Sequence, residues 1–230
     1  ILTMKKFVIT GAPGTGKTSI IKSFKTAGTS LEIALSKFCD SKDIITPIIE
    51  EDEKIRKELN YTGPQNYQGL KEHMPASEIK MKLDEDIFNN YLKFVTVRNP
   101  FEQIISAYYW HNESKKKEKK FFIFNKKPKK FNDFFKIKAK NIFDDEYNRY
   151  TENNNILVDC FVKYESLKED LDKISTTLKL PSNLFDVFKI IKAKSNIKPP
   201  KNKRIILNDE HIKKIYKLAE KIISLHNYKH

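Results

Sequence analysis

The order of apolar and polar positions predicts strands that alternate with helices. Lys5–Thr10 and Tyr91–Val97 are short apolar runs rich in β-branched residues, which is typical of buried strands, and Ile156–Tyr164 has the same character. Apolar residues at helical spacing predict helices at Lys17–Thr26, Glu51–Leu59, Pro75–Leu83, Phe101–Trp110, Leu167–Leu178 and Asp209–Leu225. Because strands and helices alternate, residues 1–230 are predicted to form a single α/β domain with a central parallel sheet flanked by helices.

A lysine-rich insertion at about residues 113–140 interrupts this pattern. Between Lys115 and Lys140 it holds 12 lysines and two acidic residues, interleaved with phenylalanines. The structural interpretation, which is favoured, is a solvated insertion whose aromatic side chains dock on the domain. The functional interpretation is contact with an anionic polymer, since lysines with aromatic residues suit phosphate backbones and stacked bases or sugars.

The formal net charge of +14, from 44 basic and 30 acidic residues, favours anionic partners. Nucleotides, sulfated or carboxylated sugars, nucleic acids and membrane surfaces all fit such a field. Lysine greatly outnumbers arginine, however, and a compositional bias of the source genome would produce the same balance. The charge alone therefore does not identify a partner.

The cysteines and the apolar runs together predict a soluble, cytoplasmic protein. Cys39 and Cys160 form neither a Cys-x-x-Cys pair nor a metal-ligand spacing, so both are expected as reduced, small core residues. No apolar run approaches the roughly 20 residues of a membrane span. Because residue 1 lies close to the first predicted strand, no signal peptide is expected, and an anchor upstream of residue 1 stays open as the alternative.

Residues 11–18 read Gly-Ala-Pro-Gly-Thr-Gly-Lys-Thr and match the phosphate-binding pattern G-x-x-x-x-G-K-[ST]. The segment follows a predicted strand and runs into the predicted helix Lys17–Thr26, which is the context that the pattern requires. Glycines allow successive backbone N–H groups to converge on an anion, and the helix N-terminus and Lys17 add positive charge. The sequence therefore predicts a phosphate site here.

A second anion site is predicted where the strand Tyr91–Val97 ends. Arg98 follows that strand directly, and the carboxyl ends of strands are where α/β sheets bind ligands. Ser106 lies on the helix that comes next. Both side chains can converge on one phosphate, Arg98 through its charge and fork geometry and Ser106 through its hydroxyl.

The segment from Phe94 to Tyr108 closely resembles the 3′-phosphate-binding motif of sulfotransferases that use 3′-phosphoadenosine 5′-phosphosulfate (PAPS). It is most similar to the carbohydrate-type branch, where V-R-N-P-[FW]-[ED]-R-[LI]-[LVI]-S-x-Y is typical. His73–Lys80, Phe161–Leu167 and Asn208–Tyr228 are similar to further family segments, in the family's order. The resemblance covers most of the chain and implies a P-loop NTPase-like fold that transfers a sulfuryl group from PAPS to a hydroxyl, with a carbohydrate as the expected acceptor.

The resemblance also implies a donor site. The family's 5′-phosphosulfate loop usually reads P-K-x-G-[GTS]-T-[ST], and residues 13–19 align with it without gaps. The residues implied to hold the 5′-phosphosulfate are Pro13, Gly14, Thr15, Gly16, Lys17, Thr18 and Ser19. Gly14 stands where the family has its lysine, so Lys17 is expected to take over that role. Arg98 and Ser106 are implied to hold the 3′-phosphate, and Arg204 to reach the nucleotide.

PAPS would act as a cosubstrate that leaves as adenosine 3′,5′-bisphosphate, and no metal is expected. Transfer to a hydroxyl also needs a base. His73 is the candidate, because neutral imidazole titrates near the working pH and the resembling segment includes a histidine. His111, just past the helix that follows Arg98, is a weaker candidate. His211 and His226 are expected at the surface of the last helix.

Two other functions stay open. A nucleotide kinase or another ATP- or GTP-hydrolysing P-loop protein would place Thr18 on Mg²⁺ and Lys17 on the β/γ-phosphates. Ile156–Asp159 imitates the strand that ends in an aspartate in such proteins, but this alternative leaves the Phe94–Tyr108 motif unexplained. A nucleic-acid-binding module would explain the charge but not the phosphate loop.

Overall fold

The computed structural model describes residues 7–9, 18–23, 25–41, 43–67, 69–83, 85–118, 130–191 and 205–230. The chain packs as two compact units, residues 1–97 with 148–193 and residues 98–147 with 194–230. In the described residues the first unit holds the strands, and the second is helical. That both units belong to a single domain stays a prediction.

The strands are β1 (Phe7–Ile9), β2 (Thr18–Ile21), β3 (Ile44–Ile45), β4 (Leu92–Val97), β5 (Thr151–Glu152), β6 (Asn155–Ile156) and β7 (Cys160–Lys163). The helices are α1 (Gly28–Ser36), α2 (Glu50–Glu58), α3 (Ala76–Lys82), α4 (Glu85–Asn90), α5 (Pro100–Glu118), α6 (Phe131–Tyr150), α7 (Leu167–Thr177), α8 (Leu184–Ile190), α9 (Asp209–Leu218) and α10 (Glu220–His226). Helix α5, most of α6, and α9 and α10 belong to the second unit.

The main sheet has the strand order β3-β1-β2-β4-β7, and every neighbouring pair is parallel. The predicted parallel sheet is therefore confirmed. Ile21 of β2 lies beside Val95 of β4, so both strands end at the same edge of the sheet. Strand β4 is buried along nearly its whole length, as its continuous apolar run predicts. This edge is where the candidate site begins.

One face of the sheet is covered by α1, α7 and α8. Phe94 of β4 and Val162 of β7 point into this layer, because they alternate with residues that face the other way. The buried members of the cluster are Leu31, Ile33, Ala34, Leu35, Ile48, Phe94, Val162, Leu171, Ile174, Leu178, Leu184, Val187 and Ile191. This core fixes α1 against β4, and with it the loop that leads into α1.

The second unit is built around aromatic side chains of α5, α6 and α9. Phe134 and Phe135 are each 2% exposed. Phe134 packs edge-to-face on Tyr108, and Phe135 does the same on His211. Both side chains are thus buried inside the second unit, while residues 119–129 lie outside the described residues and the interpretation of residues 113–140 as a docked insertion stays a prediction.

Several elements differ from the sequence prediction. The predicted strand Ile156–Tyr164 is two separate strands, β6 and β7, and the helices α1, α4, α6 and α8 were not predicted. The predicted helix Lys17–Thr26 is wrong, because Thr18–Ile21 is strand β2 and pairs with β1 on one side and β4 on the other. The predicted last helix is interrupted at Ala219. His211 and His226 are buried rather than exposed, since His211 caps the start of α9 and packs among aromatic rings.

Both cysteines are free thiols and half-buried. Burial raises the pKa of Cys39 well above its usual value, and burial with the nearby Asp159 carboxylate raises the pKa of Cys160 to about 11. Neither thiol is therefore a ready nucleophile near neutral pH. None of the helices in the described part of the chain has both the length and the apolar character needed to cross a bilayer.

Candidate phosphate-binding site

A short loop, Lys22–Ala27, connects the end of β2 to the start of α1, and all of its residues except Phe24 are described. Lys25 has φ of 62° and Ala27 has φ of 65°, so two residues with side chains adopt the left-handed conformation. Each such residue costs about 1–3 kcal/mol, and such residues cluster at ligand-binding turns. Turns of this kind bring backbone N–H groups onto one concave surface, which suits an anion.

Thr26 fixes this loop to the sheet. Its hydroxyl donates to the carbonyl of Ser23 at 3.0 Å and lies 2.6 Å from the hydroxyl of Thr96 on β4. The exit of the loop leaves little room for a side chain at Gly28. A Cβ added to Gly28 would lie 3.0 Å from Cγ of Lys22 and 3.3 Å from the hydroxyl oxygen of Thr96. A side chain at position 28 therefore fits only if Lys22 or Thr96 shifts by a few tenths of an ångström.

The first turn of α1 has the electrostatics of an anion site. It contains Gly28, Thr29 and Ser30 but no acidic residue, and both hydroxyl residues are largely buried. Ala27, which precedes the helix, has no polar side-chain atom with which to cap it. The N–H groups at this end carry partial positive charge and can bind a phosphate or a sulfate.

His73 lies against the first residue of this loop. Its Nδ1 is 3.3 Å from the backbone oxygen of Lys22. A carbonyl oxygen only accepts hydrogen bonds, so this contact places the proton on Nδ1 and leaves a lone pair on Nε2. Burial, together with the positive charges of Lys22 and Arg149, lowers the pKa of His73 to about 4, and the Glu72 carboxylate opposes this shift. His73 is therefore neutral at physiological pH and able to accept a proton.

Arg98 and Ser106 are described within the second unit. Arg98 follows β4 directly, as predicted, and its guanidinium lies 3.8 Å from the Glu102 carboxylate. Asn99 starts α5, because its side chain accepts from the N–H of Phe101 at 3.1 Å and Pro100 occupies the first helical position. Ser106 lies on the second turn of α5 and is half-buried.

Several residues of the predicted site lie elsewhere or outside the described residues. Pro13, Gly14, Thr15, Gly16, Lys17 and Arg204 are outside the described residues. Thr18 and Ser19 begin strand β2, so the helix that the phosphate pattern at residues 11–18 requires does not follow it. The roles predicted for these residues stay predictions.

The aspartate proposed for an ATP-hydrolysing protein is at the wrong end of its strand. Asp159 precedes β7, whereas a metal-binding aspartate of that kind follows its strand. Its carboxylate accepts from the backbone N–H of Lys93 at 2.5 Å and lies 3.0 Å from the Lys93 ammonium. Asp159 therefore holds the amino ends of β4 and β7 together, at the edge of the sheet opposite the Lys22–Ala27 loop.

The loop into α1 was missed at the sequence level, although it carries a signal. When the family pattern P-K-x-G-[GTS]-T-[ST] is laid on residues 24–30, Lys25, Gly28, Thr29 and Ser30 match. Unlike residues 13–19, this segment has a lysine where the family has one. The sequence analysis placed the loop at residues 13–19 because the full phosphate-binding pattern at residues 11–18 precedes this partial match.

Comparisons with known proteins agree with this geometry. The profile of the Sulfotransferase family matches residues 19–229, which include Lys25–Ser30 and leave Gly11–Thr18 outside. An uncharacterized protein of Archaeoglobus fulgidus is 30% identical over 115 residues, which are 48% of this chain and 87% of that protein. No solved structure matches the chain. The parallel sheet and the extent of the family match confirm the predicted α/β fold of P-loop type, and the chain belongs to the sulfotransferase family.

Proposed function

We propose that the protein transfers a sulfuryl group from PAPS to a hydroxyl group of a carbohydrate. The observation that carries this proposal is the strand, loop and helix formed by β2, Lys22–Ala27 and α1, in a chain of the sulfotransferase family. The close approach at Gly28, the left-handed residues and the helix N-terminus give this segment the properties of a phosphate cradle.

Lys25–Ser30 is proposed as the loop that binds the 5′-phosphosulfate, in place of residues 13–19. Lys25 supplies the positive charge, and the first turn of α1 supplies N–H groups and the hydroxyls of Thr29 and Ser30. The helix begins directly at Gly28, whereas Thr18 begins a strand. The loop around Lys17 remains the alternative, and the two assignments differ in which lysine the donor needs.

The 3′-phosphate is assigned to Arg98 and Ser106. Support comes from the sequence motif, from the position of Arg98 directly after β4, and from the Asn99 and Pro100 start of α5. Arg204 is proposed as a further residue that contacts the nucleotide.

The chemistry needs one proton acceptor and one positive charge. In the proposed reaction the acceptor oxygen forms a bond to sulfur, the bond from sulfur to the phosphate oxygen breaks, and the hydroxyl proton passes to Nε2 of His73. Lys25 stabilises the charge that develops on the departing phosphate oxygen. A bound anionic donor beside the imidazole raises the pKa of His73 from its low value, toward the range in which a base is effective.

The carbohydrate acceptor and the cytoplasmic location are supported by smaller observations. The Arg98 motif is most similar to the carbohydrate-type branch. Lys136, Lys138 and Lys140 are exposed on α6, where they suit a saccharide that carries carboxylate or sulfate groups. The free thiols Cys39 and Cys160 fit a reducing compartment.

Calorimetric titration with four nucleotides tests the donor assignment: adenosine 3′,5′-bisphosphate, adenosine 5′-phosphate, PAPS and ATP–Mg²⁺. We expect adenosine 3′,5′-bisphosphate to bind more tightly than adenosine 5′-phosphate, because only the bisphosphate engages Arg98. In Arg98→Ala this difference should disappear, while Arg98→Lys, which keeps the charge but not the fork, should retain part of it. A protein that binds ATP–Mg²⁺ but neither adenosine 3′,5′-bisphosphate nor PAPS is not a sulfotransferase.

Transfer itself is measured with ³⁵S-labelled PAPS and a panel of acceptors. Oligosaccharides with and without carboxylate groups are compared with simple phenols and alcohols. Label in saccharides supports the proposed acceptor class, and label confined to phenols contradicts it.

A further inference from the structure

A chain of alternating charges is buried next to the Lys22–Ala27 loop. The Lys22 ammonium lies 2.5 Å from the Glu32 carboxylate and 2.8 Å from that of Glu72. Glu32 in turn lies 3.4 Å from the guanidinium of Arg56, which contacts Glu53 at 2.9 Å. The side chains of Lys22 and Glu32 are fully buried. Buried charges of this kind are costly to hold unless each is paired.

Lys22 engages three separate parts of the candidate site. Its ammonium binds Glu72, its backbone oxygen faces Nδ1 of His73, and its Cγ lies 3.0 Å from the position that a Cβ at Gly28 would take. Glu72 and His73 are consecutive, so one lysine holds both residues of this turn against the start of the loop. Burial alone would lower the pKa of Lys22, but the Glu32 and Glu72 carboxylates outweigh it and raise that pKa, so the ammonium stays charged.

The backbone at His73 needs such support. His73 has φ of 61°, a left-handed conformation that is strained for a residue with a side chain. The guanidinium of Arg149 donates to the carbonyl of His73 from the end of α6. Held by Arg149 at its backbone and by Lys22 at its ring, His73 keeps one ring orientation.

We propose that Lys22 is a positioning residue that fixes the ring orientation and the Nδ1–H tautomer of His73, through its carbonyl and its ion pair with Glu72. The consequence for catalysis rests on the proposed function, in which Nε2 of His73 accepts the proton of the acceptor hydroxyl. The Nδ1–H form is the less common tautomer of histidine free in water. A site that fixes this tautomer keeps the lone pair of Nε2 available at all times.

The charges that face His73 make the proposal specific. These are Lys22 from the loop after β2, Arg149 from the end of α6, and the neighbouring Glu72. The Glu72 carboxylate lies 4.0 Å from Nε2 of His73 but 2.8 Å from the Lys22 ammonium, so Lys22 offsets a charge that would otherwise favour a proton on Nε2. Removing the charge of Lys22 should raise the titration midpoint of His73. Removing the charge of Glu72 should leave the midpoint at or below the wild-type value. A purely structural role would instead loosen the turn in both variants and move both midpoints up, toward the ordinary histidine value.

The test is ¹⁵N NMR of the histidine rings as a function of pH, in the wild type, Lys22→Met and Glu72→Gln. The variant His73→Asn assigns the signal. Lys54→Met is the matched control, because Lys54 forms an exposed ion pair on α2. We expect the Nδ1–H tautomer in the wild type and midpoints that move apart in the two variants. Because Lys22→Met removes a buried charge and can fail to fold, the wild-type tautomer and Glu72→Gln decide the matter on their own.

An Nε2–H tautomer in the wild type, or a midpoint that rises in Glu72→Gln, overturns the proposal. This experiment needs neither donor nor acceptor, so its failure is distinct from a failure of the proposed reaction. Where transfer is measurable, Glu72→Gln should lower kcat by about 10-fold or more with little change in the KM for PAPS, as loss of a charged hydrogen bond implies.

Discussion

Replacing Gly28 by alanine is the sharpest perturbation of the proposed donor loop. The new Cβ would lie 3.0 Å from Cγ of Lys22 and 3.3 Å from the hydroxyl oxygen of Thr96. Lys22 cannot swing aside, because its ammonium is held by Glu32 and Glu72. Overpacking of this kind costs about 1–3 kcal/mol. Alanine recovers up to about 1 kcal/mol of helix propensity, so a net loss of about 1 kcal/mol in the free energy of unfolding is expected.

The effect of Gly28→Ala on binding should exceed its effect on stability. A displaced first turn of α1 misplaces the N–H groups that would hold the 5′ anion, and a hydrogen bond to a charged group is worth about 1.5–3 kcal/mol. The Kd for adenosine 3′,5′-bisphosphate should therefore rise about 10- to 100-fold. Urea denaturation measures the change in the free energy of unfolding, and calorimetry measures the change in the Kd.

Gly63→Ala is the matched control for this experiment. A Cβ at Gly63 would have no neighbour within 4 Å among the described atoms, so neither stability nor binding should fall. If Gly28→Ala and Gly63→Ala behave alike in both measurements, the close approach of α1 to β4 has no functional role and the reasoning is refuted.

Three further outcomes are expected. Lys22→Met should lower the free energy of unfolding by about 3–5 kcal/mol in urea, because it removes the closer of the two cations that pair with the buried Glu32 carboxylate. Lys54→Met should leave the urea midpoint unchanged, and equal effects of the two substitutions would contradict the burial of the Lys22 pair. The free energy of unfolding should fall as the pH drops from about 6.5 to about 4, because His73 binds a proton in the unfolded state but stays neutral in the folded state. If the pH dependence of stability is unaltered in His73→Gln, another group is responsible for it. Asp159→Asn should lower the free energy of unfolding by about 1–2 kcal/mol, because it weakens the contacts of Asp159 with Lys93, and it should leave nucleotide affinity unchanged. A selective loss of ATP–Mg²⁺ binding in this variant would instead support an ATP-hydrolysing protein.

The β4 to α5 segment could be predicted from the sequence because independent local signals agree. Tyr91–Val97 is a continuous apolar, β-branched run, which predicts a buried strand. Asn99 and Pro100 are residues that start helices, and both do so here. The placement of Arg98 at the carboxyl end of a strand needed no information from the rest of the chain.

The proposed donor loop could not be located from local sequence signals in this way. The run Ser19–Phe24 is too short for its period to separate a helix from a strand. The outcome depends on distant partners, since β2 lies between β1 and β4 and its β-branched residues suit a paired strand. Two segments that resemble phosphate-binding loops, residues 11–18 and 24–30, lie close together in the sequence. Because only residues 11–18 match the general phosphate-binding pattern in full, the donor loop was predicted there.

The support of His73 was also invisible in the sequence. A lysine is almost never fully buried, so nothing marks Lys22 as an interior residue. Its partners Glu32 and Glu72 lie 10 and 50 positions away along the chain. Only the fold brings them together, and local sequence patterns carry no trace of such a network.

The central claim is that Lys25, and not Lys17, binds the 5′ anion of the donor. Calorimetric titration of Lys25→Ala and Lys17→Ala with adenosine 3′,5′-bisphosphate tests it most directly. We predict that Lys25→Ala weakens binding about 10- to 100-fold while Lys17→Ala binds as the wild type does. The opposite pattern, with binding lost in Lys17→Ala and kept in Lys25→Ala, would contradict the account.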